Sequence, residues 1–114
     1  MAVGKGIIVS VTVYDPKGKA VTKAFNGELL GMVIEVQNQG DTDDIFISVV
    51  DNDNNMQPII RADGVKCNFY TSVNAGQKWG MQVASAGDNT HLVMPNRFWN
   101  LTVMAGHGTL GTAV

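Results

Sequence analysis

Between Gly6 and Tyr14 the chain alternates strictly, with Ile7, Val9, Val11 and Val13 on one side and Ser10 and Thr12 on the other. A period of two puts successive side chains on opposite faces of an extended backbone, so this stretch predicts a half-buried strand. The pattern recurs along the chain. Leu30, Met32, Ile34 and Val36 alternate with Gly31, Val33, Glu35 and Gln37, and residues 45–50 form a β-branched and aromatic run that predicts a strand buried for much of its length. Residues 19–25 are expected to form a short return strand, and residues 65–73, 78–85, 91–94 and 98–105 further strands, with 109–114 pairing back as a last hairpin strand. Residues 56–61 form a weaker strand, which Pro58 assigns to an edge because proline has no N–H for a second neighbour.

Turn signals separate these segments about every 8–12 residues, the spacing of an all-β sandwich or barrel. Asp15-Pro16-Lys17-Gly18 is the strongest of them: proline presets φ, the aspartate can bond the turn backbone, and glycine relieves the exit. No stretch combines helical spacing with a start cap and a stop, and thirteen glycines oppose a helix further. The expected fold class is all-β: a single antiparallel β-sandwich, jelly-roll or Ig-like, of about 7–9 strands. It occupies residues 1–114 as one domain, with short arms at 1–5 and 111–114.

A chain of 114 residues can bury a core without covalent staples. Its single cysteine, Cys67, excludes an intramolecular disulfide and reads as a small, half-buried apolar residue. Net charge is −2, and the six lysines and two arginines are scattered, so nothing resembles a phosphate-binding or lipid-binding stripe. Nucleic acid and membrane are therefore not expected partners. The N-terminal residues carry a lysine but no long apolar core or small-residue cleavage site, so they do not read as a signal peptide. The triplet Asn100-Leu101-Thr102 has the form of a glycosylation site but falls in an expected strand.

The most site-like stretch is Asp51-Asn52-Asp53-Asn54-Asn55. Asp51, Asp53 and Asn55 match the first three ligand positions of a helix-flanked calcium loop, but Met56 stands where that loop needs glycine and Ala62 where it needs glutamate. A different calcium loop could add Asp41, Asp43 and Asp44, yet a strand separates Asp44 from Asp51 by roughly 20 Å. The loop is better read as a turn in which Asn and Asp tolerate left-handed φ and bond their own backbone. No metal ligand, cofactor or catalytic residue is assigned. His91 reads as a strand-start residue and His107, between two glycines, as a solvated hairpin tip. Glu28 and Glu35 lie too far apart along one extended segment to act as an acid and base pair. Trp79 and Trp99, with Phe69, Tyr70 and Phe98, are expected to fill a core or a subunit contact rather than stack on a sugar. Six methionines fit an adaptable core or contact surface.

The order of the pieces carries a resemblance. Residues 6–15, the Lys17-Gly18-Lys19-Ala20-Val21-Thr22 run, residues 25–34, a Ser-x-x-Asp-x-Asp turn at 48–53 and the Leu101-Thr102-Val103 stretch before a glycine-bearing hairpin resemble small β-rich virion proteins of tailed bacteriophages. The sequence departs from that pattern at Asn54-Asn55, where glycine is expected. The resemblance implies a non-enzymatic structural protein found in the virion and made in the host cytoplasm. Its implied role is capsid decoration or cementing, as a homo-oligomer bound to the major capsid protein or other virion proteins. The alternative is a carbohydrate- or receptor-binding β module of a tail fibre or adhesin, or a neck or tail component.

Overall fold

A computed structural model describes residues 7–39 and 44–107. Within them lie eight strands and no helix: β1 Ile7–Tyr14, β2 Leu29–Asn38, β3 Asp44–Asp51, β4 Gln57–Pro58, β5 Asn68–Ser72, β6 Lys78–Ala84, β7 Leu92–Val93 and β8 Leu101–His107. All pairings are antiparallel, in two four-stranded sheets. In the first, β2 lies between β1 and β6, and its opening residues Leu29 and Leu30 pair with β7. In the second, β3 is central. β8 follows it from residue 45 to 51, while β5 pairs residues 44–48 and β4 residues 50–51.

The alternation read from the sequence decides which side of each strand enters the core. Val9, Val11 and Val13 stand opposite Val36, Ile34 and Met32, so the apolar set of β1 shares a face with that of β2. In the second sheet Ile45, Ile47 and Val49 face inward, joined by Phe69 from β5 and Val103 and Ala105 from β8. Both sheets supply one buried apolar cluster, in which Ile34, Val36, Ile45, Ile47, Val49 and Val83 are fully buried. β3 is also buried on its other side, at Phe46, Ser48 and Val50, as its largely apolar run implied.

The strands expected at 65–73 and 91–94 shorten to β5 and β7, that expected at 98–105 moves on to 101–107, and three further features differ from the sequence expectation. Residues 19–25 form no strand. The only pairing there is an isolated bridge from Ala20 to Tyr14, flanked by the Val21 N–H donating to the Val13 carbonyl at 2.8 Å, beyond which the segment leaves β1. The strand expected at 56–61 shrinks to Gln57 and Pro58, with a further bridge from Ile60 to Lys66. His107 does not cap a hairpin: its backbone continues β8 opposite Ile45. The arms at 1–5 and 111–114, the last hairpin strand at 109–114, and Asp41 and Asp43 lie outside the described residues.

A register shift in the β2–β6 pair leaves Val83 as an extra residue between Gln82 and Ala84. Its carbonyl is not orphaned, because Arg61 Nη1 donates to it at 3.1 Å. The same guanidinium grips Asp63 through Nε at 3.0 Å and Nη2 at 2.7 Å, and lies 5.9 Å from the Phe69 ring centre. One arginine thus ties the turn after β4 to the bulge of the other sheet.

Candidate functional site

Asp51 ends β3 on its inward side and is only 4% exposed. A buried carboxylate needs partners, and this one has three. Arg97 Nη2 and Trp99 Nε1, the latter at 3.2 Å, donate to Oδ2, while the Asp53 N–H donates to Oδ1 at 3.1 Å. The Arg97 hydrogen bond is the main reason the Asp51 carboxyl is held below the usual carboxylate range, against the opposing cost of burial. Around this group Asn52 N–H donates to the Asn100 carbonyl at 2.9 Å, and Thr102 Oγ1 donates to Asn52 Oδ1 at 2.9 Å. The loop is therefore locked to the segment that leads into β8.

The rest of the loop is a tight turn. The Asn54 N–H donates to the Asp51 carbonyl at 3.1 Å and the Gln57 N–H to the Asn54 carbonyl at 3.0 Å. Asn55 and Met56 both take left-handed φ, at 55° and 56°. Two adjacent positive φ values under a four-residue hydrogen bond are the signature of a type I′ turn. Asn suits its place; Met does not, since a Cβ in that region crowds the following carbonyl at a cost of about 1–2 kcal/mol. Met56→Gly is accordingly expected to raise folding stability by about 0.5–1 kcal/mol, read as a rise in thermal midpoint of about 2–4 °C.

The other acidic groups do the same kind of work. Asp15 Oδ1 accepts from the Lys17 and Lys19 N–H groups, both at 2.9 Å. Asp63 accepts from the Val65 N–H at 3.2 Å besides Arg61, and Asp88 from the Thr90 N–H at 2.8 Å. Glu28 Oε1 accepts from the Phe25 N–H at 3.1 Å. Asp15, Asp63 and Asp88, like Asp51, accept from the N–H two positions on, the local geometry that makes Asp a turn residue. That signal was present in the sequence as Asp at the head of each turn.

Asp63, held mainly by its Arg61 hydrogen bond, and Asp88, held mainly by its Thr90 side-chain hydrogen bond, also have carboxyls below the usual range. A carboxyl whose folded value is depressed adds stability above its unfolded value, and that stability is lost as pH falls through the folded value. Burial pushes the Cys67 thiol up to about 11 from 9.0. A neutral thiol favoured by folding adds stability below 9.0 that is lost as pH rises towards 11. The thermal midpoint is therefore expected to be level from about pH 5 to pH 9 and to fall on both sides, which a melting series across pH checks.

The sequence candidates do not converge. Asp44 begins β3 and Asp51 ends it, so they sit at opposite ends of the strand. Among the described residues no three His, Cys, Asp or Glu side chains gather as a metal set. The Nδ1–H of His91 donates to the Asp88 carbonyl at 2.7 Å, just before β7. Glu28 caps the Phe25 turn and Glu35 lies exposed on β2. Cys67 is fully buried rather than half-buried. Trp79 pairs with Val36 near the end of β2, whereas Trp99 packs against the core beside Asp51. An open cleft of about 420 Å³, lined in part by Tyr14, Asp15, Gly31, Gln82 and Ser85, has one charged lining residue, Asp15, whose carboxylate is already engaged by its own turn.

Sequence reasoning missed what the locked end presents. Phe98, next to the Arg97 that holds Asp51, is 80% exposed, and Met56 in the turn is 47% exposed. Phe25 is 84% exposed in a turn anchored where Gly27 N–H donates to the Met94 carbonyl, and Met94 N–H to that of Glu28. These side chains are apolar and exposed; Phe25 and Met56 sit in turns closed by backbone hydrogen bonds, and Phe98 lies between Arg97 and Trp99, whose side chains both bond Asp51. Comparison with protein-family models, curated proteins and solved structures finds no match for this chain.

Proposed function

We propose that the chain is a non-enzymatic virion structural protein of a tailed bacteriophage, a capsid decoration or cement protein that bridges shell subunits. On this reading the two sheets form a single β-sandwich of jelly-roll or Ig-like type. The observation that carries it is the end of β3 around Asp51, where Asp51, Arg97 and Trp99 hold one another while Met56 and Phe98 stay exposed on the segments they lock. Such an end suits docking, because apolar contact area is offered with little conformational entropy left to lose. It offers no reacting group. The resemblance of the first half of the sequence to small virion proteins supplies the setting, and the major capsid protein is the proposed partner.

The test is co-sedimentation of the purified chain with empty capsids of the virus that encodes it. Near one copy per shell subunit is expected, and Phe98→Ser is expected to weaken binding at least tenfold with an unchanged thermal midpoint. Binding of a few copies per particle would move the protein to the neck or tail, and no binding would remove the virion reading.

A further inference from the structure

The outer face of the first sheet is hollowed at one place. Gly31 of β2 stands opposite Tyr14 of β1, and Val33, two residues on, lies between Thr12 of β1 and Gln82 of β6. A glycine inside a strand often marks a close approach of backbone. Here a Cβ on Gly31 would stand 3.0 Å from both the Ala84 carbonyl oxygen and the Ala86 nitrogen, so the chain leaving the β6 bulge runs tight against it. The Asp15–Gly18 turn lies on the β1 side. Between these two walls is the open cleft of about 420 Å³, inside the range of small-ligand sites, roughly 300–1,000 Å³.

The polar groups that line the cleft are open to a ligand. Among the described residues the Tyr14 hydroxyl, the Gln82 amide and the Ser85 hydroxyl have no hydrogen-bond partner in the chain. Asp15 receives the Lys17 and Lys19 N–H groups on Oδ1 alone, which leaves Oδ2 open. An aromatic ring, an amide, a hydroxyl and a carboxylate oxygen thus border one space and supply both donors and acceptors. No cationic residue lines the cleft to hold a phosphate or a carboxylate. Lys17 and Lys19, exposed beside Asp15 in the turn and outside the lining, offset its charge. Pro16 and Val33 are the largest aliphatic groups in the lining, too little apolar wall for a lipid chain.

We infer that this cleft binds a neutral saccharide, with an apolar face of the sugar ring on Tyr14 and its hydroxyls towards Asp15 Oδ2, Gln82 and Ser85. A neutral sugar has the matching chemistry: C–H groups on one face for the aromatic ring, and hydroxyls around the rim that both donate and accept. The hydroxyl that donates to the carboxylate oxygen makes the strongest of these bonds. Because the cleft is open, much of the sugar stays in water, and a single site is weak, with a Kd of about 1–10 mM. The cleft belongs to the first sheet and its turns, apart from Met56 and Phe98, and from Trp79 and Trp99 as well. The inference therefore goes beyond the virion reading and stands without it. Where many copies are held on one particle, such weak sites add up to an avidity about 10²–10⁴ above the single-site affinity, enough to hold that particle on a glycan-coated surface.

Amide spectra of the full chain titrated with glucose, galactose, mannose and N-acetylglucosamine, each to about 50 mM, test this range. Saturating shifts are expected with at least one of the four, confined to residues 14–18, 31–33 and 82–87. Gln82→Ala, at an exposed position, and Asp15→Asn, which keeps the Oδ1 acceptor of the turn, are each expected to weaken binding about threefold or more with an unchanged thermal midpoint. Phe98→Ser is expected to leave it intact. No saturating shift with any of the four sugars, shifts centred elsewhere such as on Trp79, or folded Gln82→Ala and Asp15→Asn chains that both bind like wild type, overturns the inference. The titration contains no capsid, so a failed sugar site leaves shell binding standing, and a chain that binds sugar but no capsid defeats only the virion reading.

Discussion

Ile47→Ala is expected to lower folding stability by about 2–5 kcal/mol and the thermal midpoint by about 8–20 °C. Ile47 is fully buried, sits in the middle of the central strand, and stands between Phe69 of β5 and Ala105 of β8, both packed on the same cluster. Removing three carbons there loses the transfer free energy and leaves a cavity. A strand paired on both edges has no freedom to move in and fill it. Val11→Ala provides the contrast. Val11 lies on the inward face of β1 but is 42% exposed at a sheet edge, so its loss is expected to stay below about 1 kcal/mol. Melts followed by circular dichroism check both. Equal losses at the two sites would mean that the two sheets do not share the core described above.

Asp51→Ala is expected to produce the second large loss, a fall of several degrees in thermal midpoint, while Asp53→Asn changes little. Orphaned donors, more than the lost charge, cause the fall. Without the carboxylate, the Trp99 indole N–H beside the core, the Arg97 guanidinium and the Asp53 N–H lose their acceptor together. The Asp53 side chain is exposed, and it is the Asp53 backbone that enters the lock. A calcium loop would make the opposite demand, since Asp51 and Asp53 would both be ligands and either loss would weaken the site. Melting the two variants, each with added calcium and then with chelator, separates the two accounts. A lock predicts unequal variants and no response to calcium.

The pattern of alternating side chains carried most of the fold because burial on one face of a strand leaves a direct trace in sequence. β1, β2, β3 and β6 were legible in this way, at nearly their observed bounds. What escaped was set by partners distant in sequence. Residues 19–25 look like a strand locally but find no ladder, and His107 looks like a turn between glycines but is drawn into β8 by pairing with Ile45. Gly106 beside it is accounted for by the Phe46 ring, a neighbour 60 positions away.

The acidic loop was half legible. Its failure to match the calcium pattern at Met56 and Ala62 could be read directly, and so could its turn chemistry. The lock could not, because Arg97 and Trp99 reach Asp51 across 46 and 48 residues. Nor does any local pattern foretell that Met56 takes a left-handed φ. There the pinned ends of the loop override the preference of the residue. The exposure of Phe98 was hidden for a similar reason, since an aromatic in a β protein is expected in a core or a subunit contact and no local pattern tells which, and Phe25 was read only as the end of a short strand.

In the proposed role the chain binds a shell and makes it harder to dismantle. Calorimetry of empty capsids with and without saturating protein tests it most directly. Binding to the intact shell alone stabilises it by about 2.7 kcal/mol per site at a hundredfold excess over Kd. The capsid transition is expected to move to higher temperature and to keep rising with protein concentration. A capsid transition unmoved by a protein that is folded and in excess would contradict it.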